Sequence, residues 1–295
     1  MFGQFWPPRA WVFVRRHPPA GMSVEHSVLL PDAPLDLRFG PDELADVRAT
    51  ITAFIAEMVD AAGADGAVLG LSGGIDSTTT AHLAVEALGV DGLHGLVMPS
   101  AVNDPENMAD AEAVAEGLGI SYDVVEIEPI AEQIIGAIDG AGADQTARGN
   151  VYVRTRAVLN YLVANQQQRI VLGTGNRAEA MVGYYTKYGD QAVDCNPIGP
   201  LYKQQVRQLA AAIGVPMELV MKTPSAGMWV GQTDEGELGM SYDTLDAILA
   251  LHVDGPLSVA MTAEAIGVDA ADVEAVDALV AASAHKRAMP PAPQL

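Results

Sequence analysis

Gly66-Ala67-Val68-Leu69-Gly70-Leu71-Ser72-Gly73-Gly74-Ile75-Asp76-Ser77 begins as a short apolar run, meets a glycine pair between serines, and passes into an Ala/Leu-rich helical pattern over 77–88 closed by Gly89. This predicts a strand, a glycine-rich turn and a helix. The same alternation continues downstream. A second apolar run at 93–98 and the segments 122–127 and 169–173 read as further strands, and helical patterns cover 106–118, 130–138, 154–163 and 176–182. Strands alternating with helices predict an α/β fold, a doubly wound and mostly parallel sheet with helices on both faces. Upstream, Gly40-Pro41-Asp42 opens a helix whose Leu44, Val47, Ile51, Phe54, Ile55 and Met58 recur at helical spacing. Downstream, two passages without periodicity, 183–199 and 223–236, flank a helix over 204–213. Residues 242–287 read as helices broken at Gly255-Pro256 and Gly267. The two aperiodic passages are candidates for lids over a reaction.

The chain has 295 residues, 49% hydrophobic and 18% charged, enough for a substantial core. We divide it into a disordered or extended leader (1–40), a single domain (41–288) and a flexible tail (289–295). Sixteen basic residues against 38 acidic ones give a formal charge of −22, which repels phosphate backbones and anionic lipid. Nucleic acid and membrane are therefore not expected as partners of the acidic domain. No apolar run approaches the roughly 20 residues of a membrane span. A lone cysteine, Cys195, makes no internal disulfide and fits a reducing, cytoplasmic compartment. Residues 1–21 contrast with the rest, holding three arginines, no acid and several aromatics, in the wrong order for a signal peptide. They read as a disordered leader or translation upstream of Met22, with a membrane-surface anchor as the alternative. Lysine is scarce: only Lys187, Lys203, Lys222 and Lys286 occur. Two readings of this acidity stand side by side, a halophilic protein of a salt-rich cytosol and an ordinary acidic enzyme.

The chemistry is expected at the turn. In open parallel sheets ligands lie beyond the carboxyl ends of strands, where a helix N-terminus offers N–H groups to an anion. The glycines let backbone approach a ligand, and Asp76 places a carboxylate where phosphate should bind, which suits a bridging metal ion. A Walker A loop is excluded because no lysine precedes Lys187, and the spacing is not that of the dinucleotide fingerprint.

The remaining pattern, S-G-G-x-D-S over 72–77, resembles the loop of the PP-loop ATP pyrophosphatase superfamily. Three more segments, in the same order and similar spacing, resemble the ammonia-dependent NAD synthetase family within it: Gly149-Asn150-Val151-Tyr152-Val153-Arg154-Thr155-Arg156, Leu172-Gly173-Thr174-Gly175-Asn176-Arg177-Ala178-Glu179, and Tyr184-Tyr185-Thr186-Lys187-Tyr188-Gly189-Asp190. His285-Lys286-Arg287 completes the set. The resemblance runs from about Pro41 to Pro290. It implies an adenine nucleotide alpha hydrolase-like, Rossmann-like fold and conversion of deamido-NAD to NAD, with ATP as co-substrate, Mg²⁺ as cofactor and ammonia as nitrogen donor.

The implied ATP-binding positions are Gly70, Leu71, Ser72, Gly73, Gly74, Ile75, Asp76, Ser77, Thr174, Lys203 and Ser225, and the implied metal ligands are Asp76 and Glu179. Arg154, Lys187, Asp194, His285 and Lys286 match deamido-NAD positions. A homodimer is also implied. Ser225 departs from the threonine that relatives often carry. No enzyme nucleophile is expected, because activation by ATP supplies the leaving group. Glutamine-using relatives carry an extra amidase domain for which the chain has no room, so free ammonia is the expected donor, with a separate glutaminase left open. The competing readings are another PP-loop ligase, whose tRNA-modifying version the charge disfavours, and a non-catalytic nucleotide sensor.

Overall fold

A computed structural model describes residues 33–101, 105–140, 142, 144–229 and 231–294; the leader reading for 1–32 lies outside them. The central sheet is built from β1 (Ala67–Leu71), β2 (Leu93–Val97), β3 (Ser121–Val124) and β4 (Ile170–Leu172), all parallel, in the order β3-β2-β1-β4. The order reverses between β1 and β4, so the crevice of this fold opens beyond their carboxyl ends. A single further bridge, Leu172 to Cys195, extends the β4 edge.

The apolar runs exist because both faces of the sheet are covered. Along β1, Ala67, Leu69 and Leu71 point into one cluster and Val68 into another. The first cluster receives α1 (Pro41–Ala62), α2 (Ile75–Leu88), α3 (Pro105–Leu118) and α7 (Lys203–Ala212). The second receives α4 (Glu128–Gly136) and α5 (Gln145–Gln166). The α1 positions predicted from spacing behave accordingly: Leu44, Ile51 and Ile55 are buried, and Val47, Phe54 and Met58 pack against them.

A third apolar cluster joins α6 (Arg177–Val182), α10 (Tyr242–Ile248), α11 (Val259–Ile266) and α12 (Ala270–Ala282). Two short helices, α8 (Met217–Val220) and α9 (Asp234–Leu238), complete the set. Residues 35–39 form an extended strap on α7. Gln204 donates to Leu35 O (3.0 Å) and accepts from Leu37 N (3.2 Å), and Gln208 repeats this at Phe39 (2.9 and 2.8 Å).

Several boundaries differ from the sequence expectation, among them the end of β3 at Val124 instead of 127. α5 starts at Gln145 instead of 154, capped by Asp144, whose Oδ1 accepts from Ala147 N at 2.6 Å. Its first two turns are polar and show no apolar period to read. α9 begins inside the second aperiodic passage, where Thr233 accepts from Gly236 N.

Candidate active site

The turn after β1 is shaped by its glycines and serines. Gly73 has φ +73°, and a Cβ there would lie 2.0 Å from the Asn107 carbonyl oxygen, so glycine alone fits. The Ser77 hydroxyl accepts from Ser72 N (3.2 Å), meets Ser72 Oγ (3.0 Å) and donates to Gly74 O (3.1 Å), drawing the loop into a closed ring. Thr78 N–H is the first in α2 to find an intrahelical acceptor, Gly74 O at 3.1 Å. The N–H groups of Ile75, Asp76 and Ser77 therefore lack intrahelical partners at the open end of the helix, a site built for an anion. Gly70 and Leu71 close the strand just before it.

Asp76, in the first turn of α2, meets groups from the far side of the crevice. Asn176 ends the segment after β4 and caps α6: its Oδ1 accepts from Glu179 N (3.0 Å), while Glu179 Oε2 accepts from Asn176 N (3.4 Å). The Asn176 Nδ2 amide donates to Asp76 Oδ1 at 3.2 Å. This capping box turns Glu179 toward Asp76. Between the two carboxylates sits the ammonium of Lys203, 2.5 Å from Asp76 Oδ2 and 3.4 Å from Glu179 Oε1. The lysine is buried, and its Nζ lies 4.8 Å from the centre of the Tyr242 ring. The Tyr242 hydroxyl donates to Asp234 Oδ2 (3.0 Å) and lies 3.4 Å from Glu179 Oε1.

The electrostatics follow from this crowding. Burial pushes Glu179 up to about 8; Lys203 opposes the shift, and Asp76 and Asp234 reinforce it. Burial also disfavours the Lys203 charge, but Asp76 and Glu179 outweigh it and hold the ammonium above the ordinary lysine range. Burial raises Asp234 as well, against the pull of Lys203. Three carboxyl groups thus crowd one lysine, and burial favours their neutral forms, a strain that a further cation would relieve. Two carboxylates that already converge on one ammonium are oxygen donors of the type Mg²⁺ takes, with phosphate and water supplying the rest of its shell. Among the described residues no group of three or more His, Cys, Asp or Glu forms a dedicated metal cage.

Thr174 is half-buried in the turn after β4, on the same side of the sheet. Ser225 is engaged differently: its hydroxyl donates to Gln232 O (2.7 Å) and accepts from Gly227 N (3.2 Å), closing its own loop. That loop stands beside the acidic cluster, because Asp234 N donates to Pro224 O at 3.1 Å.

The cationic positions gather at a second locus. Lys187 Nζ lies 3.2 Å from His285 Nδ1 and 5.3 Å from the Tyr188 ring centre, and Arg154 donates to Lys187 O at 3.1 Å. Lys286 donates to Gly183 O (2.6 Å) and Tyr185 O (2.7 Å), and Arg287 to Ala180 O and Met181 O. These two cations sit at the C-terminal end of α6, where carbonyls lack intrahelical donors. Gly183, φ +71°, admits the contact: a Cβ there would lie 2.2 Å from Ser283 Cβ. Arg156 turns elsewhere, donating to Met98 O (3.1 Å), and burial lowers it to about 10.

Asp194 stands apart from both groups. Its Oδ2 accepts from Val171 N (2.7 Å), its Oδ1 from Tyr161 OH (3.1 Å), and it lines a cleft of about 340 Å³ with Gly63, Gln168 and Ile170 at the amino ends of the strands. Sequence reading missed Asn176, Asp234 and Tyr242 as members of the Asp76 site. Asn176 carried a signal, since Asn followed three residues later by Glu is a capping-box pattern. Asp234 and Tyr242 carried none.

Known proteins resemble this chain in sequence and in fold. The NAD synthase family profile matches residues 47–290. A curated NH(3)-dependent NAD(+) synthetase of Halobacterium salinarum is 62% identical over 261 residues, covering 88% of this chain and 97% of that one. One from Thermococcus kodakarensis is 45% identical, covering 83% and 95%. Among solved structures, NMN synthetase from Francisella tularensis superposes with TM-score 0.76 at 33% identity, over 87% of this chain and all of that one. An NH3-dependent NAD synthetase from Campylobacter jejuni gives 0.71 at 28% identity, over 85% and 99%. A glutamine-dependent NAD+ synthetase from Acinetobacter baumannii gives 0.60 at 28%, over 88% of this chain but 49% of that one. The chain belongs to the NAD synthase family.

Proposed function

We propose that this chain makes NAD from deamido-NAD, ATP and ammonia, releasing AMP and pyrophosphate in the last step of NAD biosynthesis. The observation that carries the reading is the convergence of Asp76, Glu179 and Lys203 at the open N-terminus of α2. Ammonia does not displace oxygen from a resonance-stabilised carboxylate, so the nicotinate group must first become an acyl-adenylate. The Ser72–Gly74 turn and the α2 N–H groups hold the β,γ-phosphates, leaving the α-phosphorus open to the substrate oxygen. Lys203 follows the charge that gathers on departing pyrophosphate. Asp76 and Glu179 would hold Mg²⁺, which would neutralise phosphate charge and polarise the α-phosphoryl group. Arg154 and Lys187 present cations to the phosphates of deamido-NAD, and the 183–199 and 223–236 loops shield the adenylate from water.

Ammonia as donor is supported by the different shares of the ammonia- and glutamine-dependent relatives that the chain covers; a separate glutaminase would feed the same site. Residues 41–288 act as one catalytic unit. A homodimer is supported by rows of exposed apolar side chains, Ile130 and Ile134 on α4 and Val158 and Leu162 on α5. The free, buried Cys195 suits a reducing cytoplasm, and no helix among the described residues is long and apolar enough to cross a membrane. The charge of −22 supports work in a salt-rich cytosol.

The second reading is amidation of nicotinate mononucleotide, which the likeness to an NMN synthetase favours. The test supplies purified protein with ATP, Mg²⁺ and ammonium, at low and molar salt, and with either the mononucleotide or deamido-NAD. NAD and AMP formed one-for-one support the proposal. Amidation of the mononucleotide alone selects the second reading, and AMP without amide in both arms overturns each of them.

A further inference from the structure

α7 places Lys203 at its first position, but the residue before it, Tyr202, has no side-chain group capping the helix. Gln205 Oε1 accepts the Tyr202 N–H at 3.0 Å, which leaves the Gln204 N–H, next in the first turn, to find an acceptor outside the helix. That acceptor is Asp246 Oδ2 on α10, 42 residues away and 3.0 Å distant. Asp246 is fully buried. One turn further along, Arg207 of α7 donates to Asp243 of α10 at 3.0 Å, so the two helices are joined by two polar contacts in register. α10 also supplies Tyr242, whose ring faces the Lys203 ammonium.

A buried carboxylate is costly unless it accepts hydrogen bonds that nothing else can satisfy. Apolar packing alone would hold α7 against α10 with no carboxylate at this position. What Asp246 adds is a fixed axial position for the first turn of α7, at the residue adjoining Lys203. The Lys203 side chain is seated between two carboxylates on different elements, so a small slide of α7 would withdraw its ammonium from one of them. We infer that Asp246 is a positioning residue, which accepts the Gln204 N–H and so holds the start of α7 where Lys203 reaches both Asp76 and Glu179.

Burial raises Asp246 to about 7, and either protonation form keeps a lone pair for the Gln204 N–H. The catalytic consequence rests on the function proposed above; the seating of Lys203 does not.

The test uses the full chain and reads the four lysines by mass spectrometry during brief acylation with an amine-reactive ester, without substrates. Asp246→Ala should raise the Lys203 rate by about tenfold, the equivalent of one lost buried hydrogen bond, with Lys222 within about twofold of its wild-type rate. Asp246→Asn, which keeps the acceptor, should restore protection. Asp246→Leu fills the same volume without an acceptor and replaces Ala if that variant does not fold. An unchanged Lys203 rate, a uniform rise at all four lysines, or no restoration by Asn overturns the inference. In turnover, Asp246→Ala should lower kcat about tenfold with the KM for deamido-NAD within about twofold, and the loss should disappear in a Lys203→Met background. A wild-type chain that forms no NAD sinks the functional reading alone, because lysine protection is still measured.

Discussion

The two charged loci of this molecule are held in opposite ways. At the carboxyl ends of β1 and β4, Asp76, Glu179 and Lys203 are gathered from three helices and largely removed from water, so the two carboxylates hold the Lys203 charge and Lys203 opposes the upward shift of Glu179. At the end of α6, Lys187 is half-buried, and Lys286 and Arg287 are tied to backbone carbonyls. The first locus couples its members through Coulomb interactions that packing cannot relax. The second is a set of separable contacts with solvent nearby. Loss of one group in the first should therefore damage both chemistry and stability, whereas loss of one in the second should weaken binding alone.

The sharpest break would come from Asp76→Ala. It removes a proposed metal ligand and leaves a buried ammonium with one partner, so NAD formation should fall by at least about 10³-fold and unfolding free energy by about 3 kcal/mol. Denaturant titration with initial rates checks this; a variant with normal stability would show the locus to be less coupled than its geometry implies. Lys203→Met comes next. A fall in kcat of about 10²-fold is expected, with the KM for deamido-NAD little changed. A change confined to KM would move Lys203 to the binding locus.

Lys187→Ala tests the other side. The KM for deamido-NAD should rise about tenfold while kcat stays within about twofold, as one half-buried charge contact predicts. Equal loss in kcat would contradict the separation of the two loci.

The smallest effect is in pH. Glu179 and Asp246 titrate in the folded, metal-free protein near 8 and near 7, both raised by burial above an unfolded carboxylate. The native state then holds more protons than the unfolded one, so stability present at lower pH is lost as pH rises through these values. Between about pH 6.5 and 8.5 the melting temperature should fall, and Asp246→Asn should flatten that fall by about 2 °C. An equally steep fall in the variant would remove Asp246 from the account.

β1, β2 and β4 were legible because they are buried on both faces, which writes apolar runs such as 67–71 into the chain, whereas the edge strand β3 is largely exposed and carries no such run. α1 was legible from its spacing and Pro41. The start of α5 was not, because its first turns face solvent and polar neighbours, leaving Asp144 as the sole local signal. The Gly73 turn could be read from residue types alone, since a positive φ and a backbone contact admit nothing else.

Asp194, matched by resemblance to a deamido-NAD position, lies against Val171 of β4 and apart from the cations of this chain, a placement that depends on how the 183–199 passage packs on the sheet edge.

The sequence by itself determined the alternation of strand and helix, the glycine-rich turn, the net acidity and the identity of the charged residues, because each is a local property of residue type and spacing. Only the tertiary structure decided that Asn176, Asp234, Tyr242 and Asp246 join the assembly of Asp76, Glu179 and Lys203. Helical spacing specifies which face a residue occupies, while the partner of that face is chosen by how α6, α7 and α10 pack across the crevice.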